Sequence, residues 1–171
     1  MIHAYSLVHD DMPCMDDDAM RHGKPSTHAA FGEAVAVLAG DALQAFAFEV
    51  LADPATSGDP FVRAELVQVL AGASGAGGMV GGQMLDIAET GVKSELSEIA
   101  LIQSMKTGAL FRFACEAGAV LAGADPSPLR QYADKIGLAF QIADDILDVE
   151  SSPEALGKRT QKDRHKGKVT F

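Results

Sequence analysis

Tryptophan is absent from the chain, aromatic residues make up only 6% of it, and there are just two cysteines, Cys14 and Cys115. Each scarcity excludes something. So few aromatics beside abundant Ala, Leu, Val and Met disfavour a sheet protein and favour helices. Two cysteines, neither in a CxxC pair, cannot form a disulfide framework, which fits a reducing cytoplasm. Basic residues are scarce too: 14 Lys and Arg against 24 Asp and Glu leave a formal charge of −10. Such a field repels nucleic acid and acidic membrane surfaces, so neither is expected as a partner. The first residues show no basic leader before an apolar run, and no stretch is read as the ~20 apolar residues of a membrane span. Neither secretion nor membrane spanning is expected.

What is present suffices for a core. At 171 residues and 47% hydrophobic, the chain is expected to fold as one all-helical domain, residues 1–171. A first helix is expected from Met1 to about Met20, distorted at Pro13, followed by a loop. The row from Glu33 to Ala52 is apolar almost all round, with Asp41 standing alone near its middle. That pattern predicts a buried, central helix. Asp59 and Pro60 read as N-cap and first turn of a helix running towards Glu89. Six of the eleven residues from Gly72 to Gly82 are glycine, so close helix contact is expected there, offsetting the poor helix propensity of glycine. A further helix is expected over 94–122. Ser127 and Pro128 open the next, which carries "QIADDILDVE" and ends near Ser151. Six Lys or Arg then fall in the eleven residues Lys158 to Lys168.

Chemistry concentrates in two acidic motifs. "HDDMPCMDDD" places five aspartates in the nine residues Asp10 to Asp18, with no Lys or Arg among them. In "DDILD", Asp144 and Asp148 are four residues apart and nearly share a helix face, with Asp145 one step round. Clustered carboxylates raise one another's pKa or attract a metal, and oxygen-only sites with room for water and phosphate suit Mg²⁺. The structural alternative is a solvated acidic face. The uncharged run "IGLAFQIA" before the second motif argues instead for carboxylates at the rim of a core. In the first motif, helical spacing returns Asp17 rather than Asp16 to the face of Asp10, but Pro13 makes regular spacing doubtful and leaves the two open. Two acidic helices, neither with a matching cation nearby and the second followed by a basic stretch, suggest two walls of a cleft holding metal ions and a polyphosphate.

The pair "DDMPCMD" and "DDILD" resembles the two aspartate-rich motifs of the trans-prenyl diphosphate synthases, most narrowly the bacterial farnesyl diphosphate synthases. "IHAYSLVHDD", "GDALQAFAF", "GGQMLD", "KTGAL" and "GLAFQIADDILDV" agree in the same order. The resemblance implies an isoprenoid synthase-type helical bundle around a central cavity, here truncated at both ends, and usually a homodimer. It implies that Asp10, Asp16 and Asp144 bind Mg²⁺, about three ions with bound diphosphate, while Asp11, Asp145 and Asp148 support the water shell. Arg21, Lys158 and Lys168 would grip the allylic diphosphate, and His3 and the position of His22 would meet isopentenyl diphosphate. Lys106 would join that grip and, with Thr107 and Gln141, steady the carbocation. Tyr5, with small Ser6 beside it, would form the floor that stops growth at fifteen carbons. Asp86 is expected to help position Gln83.

Two departures from the family pattern stand out. Arg21 is followed by His22 where a second arginine is usual, and no Gly-Lys-x-x-Arg pocket precedes His3, so the chain looks like an internal fragment. Competing readings fit less well. A geranylgeranyl or longer-chain synthase is the alternative product class, and an inactive fragment or non-catalytic partner subunit is the alternative from another class. A terpene cyclase wants a glutamate where Ser152 stands. An EF-hand fails on ligand spacing and its twelfth-position glutamate. The glycine run has no GK[ST] and no preceding strand, so it is not a nucleotide loop. Cys14 is a poor ligand for hard Mg²⁺.

Overall fold

The computed structural model describes residues 1–88 and 95–150, without the side chains of Asp145, Asp148, Val149 and Glu150. Two compact units separate among the described residues, Met1–Thr56 and Ser57–Glu150. Helices dominate both, as the composition predicts. The exception is one short hairpin in the first unit.

In that unit, α1 covers Ile2–Asp10 and stops well short of the expected Met20. Pro13 cannot continue the helical hydrogen bonding, and the Met12 N–H has already switched to the His9 carbonyl at 3.1 Å. The chain folds back and enters β1, Met20–Arg21, which pairs antiparallel with β2, Lys24–Pro25. His22 and Gly23 form the two-residue turn between them, with φ of 50° and 73°. Positive φ at both central positions is the turn geometry whose twist matches a hairpin, and histidine is among the non-glycine residues enriched there. The departure at His22 thus has a local structural reason.

Helices α2, Thr27–Phe31, and α3, Glu33–Ala52, complete the unit. α1 lies against α3 through small residues: Ala36, Gly40 and Ala47 are buried, while Leu38 is 67% and Phe46 50% exposed. The expected central, buried helix is therefore apolar on an outward face as well. By length and composition α3 would also pass as a membrane-crossing helix, contrary to expectation. Its small-residue stripe packs on α1 instead.

The second unit opens with α4, Pro60–Ser74, whose N-cap Asp59 accepts the Phe61 N–H at 2.8 Å. The helix expected to reach Glu89 is broken in two. It ends at Gly75, in an extended conformation, and resumes as α5, Met79–Ala88. Loss of side-chain restraint over the glycine run makes the break inexpensive. α6, Leu96–Gln103, starts at a Glu95/Glu98 capping box and passes into a π-helical turn, Ser104–Gly108, and then α7, Ala109–Leu121. α8 covers Ser127–Glu150, its first N–H bonded to Asp125 Oδ1 at 2.9 Å. Leu66, Leu70, Ile99, Ile102, Ala119 and Ala133 form the core. α8 is held on one side, where Gly137 meets Gly108 and Phe111 and the Phe111 and Phe140 rings stand 5.3 Å apart. Other positions leave Leu138 49% and Ile142 39% exposed, so the run before "DDILD" is not the closed core the sequence suggests.

Candidate functional site

The first acidic motif is organised by backbone bonds. After α1 ends, the Asp16 N–H bonds the Asp10 carbonyl at 2.8 Å, the Asp17 N–H the Met12 carbonyl at 3.1 Å and the Asp18 N–H the Asp11 carbonyl at 3.0 Å. The loop therefore returns Asp16, not Asp17, to Asp10. Asp17 takes a φ of 53° and is exposed. A six-residue spacing that a regular helix cannot reconcile becomes natural once Pro13 breaks the helix.

Asp11 has a partner within the protein. It is 2% exposed and receives Arg21 Nε at 2.9 and 2.8 Å and Arg21 Nη2 at 2.6 Å. The hairpin brings Arg21 back across ten residues, so the expectation of no nearby cation is corrected. Asp11 anchors a guanidinium, and Arg21 spends part of its fork on that anchor. Hydrogen bonding to Asp11 holds the Arg21 pKa above its ordinary value, against the cost of burial. His3 shifts the other way, below 6.5, through partial desolvation and then the positive charge of Arg21. His3 is thus a neutral imidazole at pH 7, able to donate one hydrogen bond and accept another.

Tyr5 is 6% exposed. Its ring stands edge-on to His9 at 5.7 Å, and its hydroxyl accepts from Gln44 Nε2 on α3 at 3.5 Å. His9 Nε2 in turn lies 3.1 Å from the Val37 carbonyl, and a Cβ at Gly40 would stand 2.5 Å from its ring Cδ2. Tyr5 is therefore a buried ring held at both its edge and its hydroxyl. Ser6 turns its hydroxyl to the His3 carbonyl at 3.0 Å. Gln44, His9 and Gly40 escape a sequence reading because the contacts that matter are up to 39 residues apart.

In the second unit, the π-helical turn presents Lys106 and Thr107. Thr107 Oγ1 donates to Gln141 Oε1 on α8 at 3.4 Å, so two of the three expected cation-steadying residues meet. Lys106 Nζ donates to Asp86 Oδ2 on α5 at 2.8 Å. The expectation for Asp86 concerned Gln83, whose Oε1 is buried; the ion pair with Lys106 was not foreseen. Asp144 lies on α8, partly buried, and Asp145 and Asp148 follow on the same helix. Lys158 and Lys168 lie outside the described residues, as do the side chains of Asp145 and Asp148.

Among the described residues, no three carboxylate, histidine or cysteine side chains gather into a self-sufficient metal cluster. Asp10 and Asp16, joined through the backbone, offer hard oxygen donors only. That donor set fits Mg²⁺, which takes one or two carboxylates and completes its octahedron with water and phosphate oxygens.

The polyprenyl synthetase family matches over residues 1–171. The farnesyl diphosphate synthase of Escherichia coli is 49% identical over 178 residues, covering 99% of this chain and 58% of its own length. A chloroplastic geranylgeranyl pyrophosphate synthase of Catharanthus roseus is 48% identical, covering 100% and 49%. A Helicobacter pylori geranyltransferase structure, in complex with magnesium and isoprenyl diphosphate, superposes with a TM-score of 0.90 at 36% identity, covering 99% of this chain and 56% of that one. The chain thus spans between about half and three fifths of the length of these relatives.

Proposed function

The chain belongs to the polyprenyl synthetase family, and from that premise we propose that it carries the ionisation machinery of a prenyltransferase. The reaction condenses isopentenyl diphosphate with dimethylallyl or geranyl diphosphate, and the product is farnesyl diphosphate. The observation that carries this reading is the Asp16 N–H to Asp10 carbonyl bond of 2.8 Å. It brings the main chain of Asp16 back to that of Asp10, which supports reading the two aspartates as one oxygen site.

By the family resemblance, Asp10, Asp16 and Asp144 would hold magnesium, about three ions in all, with Asp11, Asp145 and Asp148 supporting their water. Magnesium, when bound, supplies the positive charge that makes diphosphate a competent leaving group. Arg21, fixed by Asp11, directs its remaining donors to the allylic diphosphate, and Lys158 and Lys168 add to that grip. Lys106 adds a further positive charge at the diphosphate. Thr107 and Gln141 present oxygen to the allylic cation that forms as the carbon–oxygen bond breaks. The isopentenyl double bond then attacks that cation, and a proton leaves, in the family's chemistry to the departing diphosphate. Neutral His3 orients isopentenyl diphosphate, and His22 stands where a second cation is usual. Tyr5 closes the product cavity, with Ser6 leaving that task to it.

The exposed apolar side of α3, Leu38 and Phe46 among it, supports association into a homodimer, and the scarcity of cysteine supports a place in the cytoplasm. The resemblance to the Catharanthus roseus enzyme keeps a twenty-carbon product as the second reading, and Tyr5 argues against it.

The test is product analysis with Mg²⁺, isopentenyl diphosphate and each allylic substrate. Farnesyl diphosphate is expected, with turnover abolished by chelation and reduced at least a hundredfold in Asp10→Asn. Turnover without added metal, or an Asp10→Asn variant at full rate, would overturn the reading.

A further inference from the structure

Lys106 sits in the π-helical turn, where the widened helix re-aims side chains relative to a regular one. Neighbours from two helices hold that turn. A Cβ at Gly82 on α5 would stand 2.7 Å from the Lys106 Cα and 2.9 Å from its Cβ. Only glycine admits this approach. Four residues on, and therefore on the same face of α5, Asp86 receives the Lys106 ammonium at 2.8 Å. Arg112 Nη2 on α7 donates to Ser104 Oγ at 2.7 Å, bracing the start of the turn.

We infer that Asp86 is a positioning residue acting through Lys106, with Gly82 fixing the backbone of Lys106 and Asp86 fixing its charge. The inference rests on the reading of Lys106 as a diphosphate-binding group. Lysine is a long, rotamer-rich side chain, and ordering it only when substrate arrives weakens binding. Here the ordering precedes the substrate. The side chains are 26% and 16% exposed for Lys106 and Asp86, so the pair is sheltered while the ammonium keeps access to solvent and ligand. An ammonium has three donors. One can remain on the carboxylate while another turns to a phosphate oxygen, so Asp86 need not be displaced.

The prediction is a selective defect. Asp86→Asn keeps the shape and removes the charge. It should raise the KM for the allylic diphosphate at least fivefold, leave the KM for isopentenyl diphosphate within twofold, and be partly rescued by Asp86→Glu. In a Lys106→Gln background the same substitution should change either constant less than twofold. A second readout needs no turnover: acetylation of Lys106, followed by mass spectrometry with exposed Lys135 as internal reference, should run at least threefold faster in Asp86→Asn. Unchanged Lys106 labelling, or an Asp86→Asn defect equally large without Lys106, would overturn the inference. A wild-type protein with no turnover would instead overturn the prenyl-transfer reading, while the labelling still decides the pairing.

Discussion

Replacing Arg21 by alanine should be among the most damaging single changes outside the hydrophobic core, for reasons that can be worked from the geometry. The substitution strands the Asp11 carboxylate, 2% exposed, after removing three contacts of 2.6, 2.8 and 2.9 Å. Breaking a buried ion pair from one side costs ~3–5 kcal/mol. The Arg21 side chain keeps 25% of its exposure, so solvent screens the pair in part, and about 3 kcal/mol is the expected loss. Asp11→Asn preserves the shape and one acceptor and should cost about 1–2 kcal/mol. Asp11→Leu combined with Arg21→Met removes both charges and should recover most of the loss, leaving a coupling of about 2 kcal/mol between the sites. Urea unfolding measures this directly. With a slope of roughly 2 kcal/mol/M, the alanine variant should unfold about 1.5 M earlier than wild type. Midpoints within about 0.25 M of wild type for both single variants, or effects that simply add in the double variant, would refute the argument that this pair anchors the motif.

Three further outcomes follow from the same structure. Tyr5→Ala removes a buried ring at a stability cost of ~3–5 kcal/mol and should shift products beyond fifteen carbons; an unchanged product profile by mass spectrometry would remove Tyr5 from the floor. In an NMR titration His3 should show a midpoint below 6.5, and Arg21→Ala should raise it. Because the unfolded chain binds that proton near 6.5 and the folded chain only at lower pH, His3 makes stability rise with pH across this window and fall as pH drops through it. Gly82→Ala forces a Cβ onto the Lys106 backbone, so a thermal melt should show a loss of about 1–3 kcal/mol, and a stability within error of wild type would argue that the two helices do not meet so closely.

Residue type and local spacing were enough to determine the helical class, the cap at Asp59 and the identity of the acidic motifs, because each depends on neighbours within a few residues; at α8 the expected cap, Ser127, is already helical and its N–H is taken by Asp125. Pro13 and the glycines after Ser74 also announce their breaks locally, yet their strength relative to the surrounding helix propensity is a matter of packing, which is why α1 ends at Asp10 and α4 at Ser74. The tertiary structure shows the loop closure that returns Asp16 to Asp10, which helical spacing alone left open, and only it decided that Arg21 belongs to Asp11 and Lys106 to Asp86. Those pairings rest on a hairpin, a loop closure and a glycine-mediated helix approach, and a charge carries no mark in the sequence of the partner that folding will bring to it.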